Sequence, residues 1–115
     1  MAFRARTIGL RKIAITITQA GLRQPLAQEN IFVTDFEVYV KSGNSGANMY
    51  VGDKTVANTW IPRAKGTTTN FVHGTGNYLG ADSVVAFNLK NIYMDADTTG
   101  DQAIIQYYAG EREEV

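Results

Sequence analysis

The sequence predicts an all-β fold: a single-domain antiparallel β-sandwich, jelly-roll-like, with an extended N-terminal arm. Three observations lead there. The chain has 115 residues, enough for one domain. Its apolar residues recur with period two, as in strands that bury one face, and no run keeps a 3.6 period beyond one or two turns. Clusters of Gly, Asn, Asp and Ser separate these runs at the short intervals typical of sandwiches and barrels.

Taken in order, residues 1–10 read as the arm, 11–109 as the sandwich and 110–115 as a short charged tail. In RKIAITIT, Ile13, Ile15 and Ile17 alternate with Ala14, Thr16 and Thr18. Residues 19–24 read as a turn or short helix before Pro25. TDFEVYVK is the clearest half-buried strand, with Phe36, Val38 and Val40 inward and Asp35, Glu37, Tyr39 and Lys41 outward. ANMYVGD places Met49 and Val51 on one face, with Tyr50 opposite the core. TTNFVH and SVVAFNL read as shorter strands, NIYMDA pairs Ile92 with Met94, and QAIIQYY, with Ile105 inward, closes the fold. Turns are expected at residues 43–46, 52–53, 65–66, 74–77 and 99–101.

Composition removes several function classes. Hydrophobic residues make up 44% and charged residues 19%, the balance of a folded chain. Eleven basic residues match eleven acidic ones, without the excess of a nucleic-acid binder. There is no cysteine, which excludes disulfides, thiolate zinc sites and thiol catalysis. No apolar run approaches the ~18 residues of a membrane span, and the start carries no secretory pattern. A domain of this size buries only about two-thirds of its unfolded surface, so self-association is a natural source of further stability.

Charge is uneven along the chain. Residues 1–28 carry five basic residues and no acid, whereas 95–115 carry six acids against Arg112. Such ends can orient subunits or a partner in a fixed sense. Trp60, Tyr78, Tyr107 and Tyr108 read as rim or loop aromatics, a class enriched at interfaces and sugar sites.

The tempting motifs resolve into turns. Asp95, Asp97, Thr99 and Gly100 occupy the first, third, fifth and sixth positions of a calcium loop, with Asp101 next. Position twelve is Gln106 in a predicted strand, and no helix flanks the loop. A hairpin turn accounts for the same residues. No metal is expected, and Asp95, Asp97, Thr99 and Asp101 are the residues that would hold calcium if it bound. Gly74, Gly76 and Gly80 miss the dinucleotide spacing by one residue, and strand rather than helix follows. His73 is the only histidine, and Ser42, Ser45 and Ser83 are the only serines. None lies in a nucleophile elbow. The sequence therefore predicts no enzyme and no cofactor.

One stretch carries a family resemblance. Tyr50-Val51-Gly52-Asp53-Lys54-Thr55-Val56 is followed by Trp60-Ile61-Pro62 and a turn at Gly66. Next come Leu89-Lys90-Asn91-Ile92-Tyr93-Met94-Asp95-Ala96 and Thr98-Thr99-Gly100-Asp101. Over roughly residues 13–108 this order resembles small tailed-bacteriophage virion proteins with a single β-sandwich, several of which are capsid decoration (cement) proteins. That family often reads Gly-Ile-Pro where Trp60-Ile61-Pro62 stands here, and Pro-Gly where Lys65-Gly66 stands. The resemblance implies a homotrimer on the capsid exterior, made in the host cytoplasm and bound to the major capsid protein, without nucleic acid or membrane. Phe3, Arg4, Arg6, Arg11, Trp60 and Tyr78 are the expected interface residues. A neck, tail or fibre-base protein and a carbohydrate-binding module are the alternatives.

Overall fold

The computed structural model describes residues 4–72 and 86–114, with side chains over 9–72 and 86–108. Among the described residues ten strands run β1 (Arg4–Thr16), β2 (Gln24–Pro25), β3 (Phe32–Val33), β4 (Asp35–Val40), β5 (Asn48–Gly52), β6 (Arg63–Ala64), β7 (Thr68–Val72), β8 (Phe87–Asn88), β9 (Tyr93–Ala96) and β10 (Gln102–Glu114). A 3-10 turn, Leu89–Asn91, is capped by the Asn88 side chain accepting from the Lys90 amide.

The pairing has one organising rule. β1 pairs with β10, β2 with β9, β3 with β8, β4 with β7 and β5 with β6, all antiparallel. The chain is thus one long hairpin, nested five pairs deep. Rolling brings β10 against β4 and β9 against β5. The result is two four-stranded sheets, β1-β10-β4-β7 and β2-β9-β5-β6, with β3-β8 as a small annex. Wrapping a nested hairpin into two sheets in this way is the jelly-roll arrangement.

Both sheets contribute to one core. Ile15, Phe36, Val38, Val40 and Ile105 from the first sheet join Met49, Val51 and Met94 from the second. Alternation along β4 is regular: Phe36, Val38 and Val40 are buried and the residues between them half-buried. Ile17 lies past the end of β1 but is fully buried, held by backbone bonds to Asp101 and Gly100. Ile13 and Ile92 pack at the core's margin, half-buried. Leu26, Val56 and Leu89 fill the interior from loops and the 3-10 turn, where no periodicity marks them.

Three expectations change. Residues 4–10 and 110–114, read as parts of an arm and a tail, pair with one another as the outer parts of β1 and β10. Register pairs Arg4 with Glu114 and continues without a break to Thr16 with Gln102. β4 covers β10 only over residues 103–107, so the outer parts of β1 and β10 form a two-stranded ribbon projecting past the sheet. The molecule accordingly extends 56 Å along its longest axis against 28 and 22 Å across. Tyr50 is buried, not outward in solvent. It stands opposite Asp95, over which the 19–22 turn folds: the Gly21 amide donates to Asp95 Oδ1 at 2.9 Å. Tyr107 is a buried mid-strand residue rather than a rim aromatic, because β4 and β1 flank it on both sides.

Candidate functional site

The sandwich is open along one side, where the edge strands β6 and β7 belong to different sheets. There a groove of about 340 Å³ is lined by Phe36, Trp60, Ile61, Arg63, Phe71 and Phe87 among others. Each wall has a local cause. β7 pairs with β4 so that Phe71 stands opposite Phe36. Their rings stack at 4.8 Å, and Phe87 meets Phe36 edge-on at 5.2 Å. Both geometries suit the ring quadrupoles.

The other wall descends from the loop after β5. Asp53 turns the chain by accepting from the Thr55 amide and hydroxyl, which holds its carboxyl below the usual aspartate range. Val56 donates to the Asp53 carbonyl and Trp60 to the Ala57 carbonyl, two successive turns. They bring the indole of Trp60 onto the Cα of Gly52, where any β-carbon would collide with it. Gly52 is therefore a close-approach glycine. Ile61 remains 67% exposed and Trp60 37%. Arg63 in β6 lays its guanidinium 5.3 Å from the centre of the Phe71 ring. Its Nε is buried and makes no hydrogen bond among the described residues.

The residues of the calcium reading are engaged in hydrogen bonds to other parts of the fold. Asp95 Oδ1 is taken by the Gly21 and Ala96 amides. Asp97 accepts from the Tyr50 hydroxyl at 3.0 Å through both oxygens. The Thr99 hydroxyl accepts from the Ala20 amide, and Asp101 accepts from Ser45 and Gly46 at 3.0 and 3.1 Å. Asp95 and Thr99 thus anchor the 19–22 turn, Asp97 meets Tyr50, and Asp101 holds the 45–46 loop. No group of three or more acids or histidines gathers among the described residues. Asn44 completes the clamp around Asp101: its amide donates to the Gln102 carbonyl and its oxygen accepts from the Gln102 amide.

Of the expected interface residues within the described structure, Trp60 lines the groove. Arg4 and Arg6 stand in the ribbon opposite Glu114 and Arg112, and Arg11 is exposed opposite Tyr107. Phe3 and Tyr78 lie outside the described residues, as do His73, the 74–80 glycines and Ser83. Sequence reasoning missed Arg63 and the Phe36–Phe71–Phe87 cluster. Phe36 is the core residue its alternation predicts, and nothing local to Phe71 or Phe87 signals that β7 and β8 bring them to it. No known protein family, curated protein or solved structure matches the chain.

Proposed function

We propose that this chain is a structural docking protein, in the manner of a phage capsid decoration protein, which works by burying surface rather than by chemistry. The observation that carries the reading is the ribbon. Register extends seven residue pairs past the reach of β4, from Arg4–Glu114 to Leu10–Tyr108. An isolated two-stranded ribbon is marginal in water, so one built this long gains most when it lies on another surface. At its base Leu10 and Tyr108 face each other across the strands at 61% and 57% exposure, an apolar pair left uncovered.

The test is sedimentation of the purified protein with shells assembled from the major capsid protein of the same virus. Retention at hundreds of copies per shell is expected. A dozen or fewer copies moves the protein to the neck, tail or fibre base, and no retention overturns the reading.

A further inference from the structure

We propose that the groove between β6 and β7 receives an extended segment of a partner protein, with an aromatic side chain between the phenylalanines and Trp60 and a neighbouring carboxylate on Arg63. This rests on the docking reading and names the contact it would use. The groove is large enough for one aromatic side chain and is open along its length, which suits a peptide better than an enclosed small molecule. Its polar lining comprises Asp53, Asn91 and Arg63. The Asp53 carboxylate is engaged by the Thr55 amide and hydroxyl, whereas no carboxylate pairs with Arg63 among the described residues, so the charge left to be matched there is that of the guanidinium. A carboxylate seated in the groove would gain a charge-assisted bond to this otherwise unpaired guanidinium. β7 is an edge strand of its sheet, so an extended segment could also add along it by main-chain bonds.

The chain contains a single tryptophan, so Trp60 fluorescence reads the groove directly. The probe is the peptide Ac-Gly-Ser-Phe-Asp-Ser-Gly-NH2, compared with versions carrying Phe→Ala or Asp→Asn. The parent peptide should shift Trp60 emission saturably. The Asn version should bind about tenfold more weakly, the scale of one charge-assisted bond, and the Ala version should give no saturable shift. In Arg63→Met, which keeps an apolar stem over Phe71, the Asp and Asn peptides should bind alike. Equal affinity of those two peptides for the wild-type protein overturns the proposal, as does a flat Trp60 response to all three; neither reading depends on the variant folding. Shell sedimentation separates the two ideas. Shells that retain the wild type and R63M equally remove the groove and leave docking intact. Peptide discrimination without shell retention removes the virion reading and keeps the groove.

Discussion

Asp101 shows how one side chain can decide a local structure. Its carboxylate is 2% exposed and accepts from the Ser45 and Gly46 amides. A β-carbon on Gly46 would sit 2.5 Å from Asp101 Oδ2, so the loop closes only around a glycine. Asp101→Ala strands two backbone donors and should cost about 2 kcal/mol. In a domain of this size that lowers the thermal midpoint by roughly 8 °C, measurable by calorimetry. Tyr50 makes a pH-dependent counterpart. Burial, then its bond to Asp97, raises its pKa above the ordinary tyrosine value of about 10. The folded state holds this proton more tightly than the unfolded chain. Its contribution is therefore complete below pH 10 and is lost as pH rises through the folded value. Tyr50→Phe should be less stable at pH 7 by about 1 kcal/mol, yet decline less steeply in alkali. Denaturation midpoints of both proteins between pH 7 and 11 check the sign. The acids of the 95–101 segment were legible as turn chemistry. Their partners were not, because Gly21, Tyr50 and Ser45 are brought to them by long-range pairing that local sequence does not encode.

The elements divide between those that periodicity reveals and those it does not. β4 and β5 carry enough inward apolar residues to be read directly, and β1 was legible from Ile13 onward. β2, β3 and β6 are two residues each, too short for any period. The nesting of all five pairs about the turn between β5 and β6 is a property of the whole chain. The ribbon was hidden for another reason: residues 4–12 are too polar to read as a strand, and only the register with β10 makes them one. That difference predicts unequal stability along single strands. Residues 103–107 are flanked by β1 and β4, whereas 108–114 are flanked by β1 alone. In the monomer, hydrogen exchange should protect Ile104–Gln106 close to the global limit and leave the amides of residues 4–8 and 110–114 exchanging nearly as in an open chain. Deleting residues 2–8 should then leave the thermal midpoint within a few degrees of the full chain. A large fall would mean that the ribbon belongs to the folding unit rather than to docking.

At the scale of the molecule, the four edges of the two larger sheets are unequal. β2 and β6 are two-residue edges and β7 has five residues, but β1 has thirteen and contains no proline. Long edges invite pairing with another chain. Sequence charge limits how copies of this chain could use it. β1 carries Arg4, Arg6, Arg11 and Lys12 and no acid, so a two-fold contact of β1 on β1 would oppose like charges. Beyond residue 107 the other free edge of the ribbon belongs to β10, which carries Glu111, Glu113 and Glu114 against Arg112. A head-to-tail contact of β1 on that edge joins opposite charges. Such a contact is heterologous, and when its rotation closes it makes a ring, of which a trimer is the smallest beyond a dimer. Light scattering behind a sizing column should then find a mass near three times the 12.6 kDa of one chain. That mass should fall toward the monomer as salt is raised from about 0.05 to 0.5 M, because screening weakens exposed charge pairs. The variant lacking residues 2–8 should be monomeric at every salt concentration. A dimer insensitive to salt would contradict the head-to-tail contact. A monomer at every salt concentration would equally contradict it, since the exposed edges would then be too weakly complementary to pair in solution.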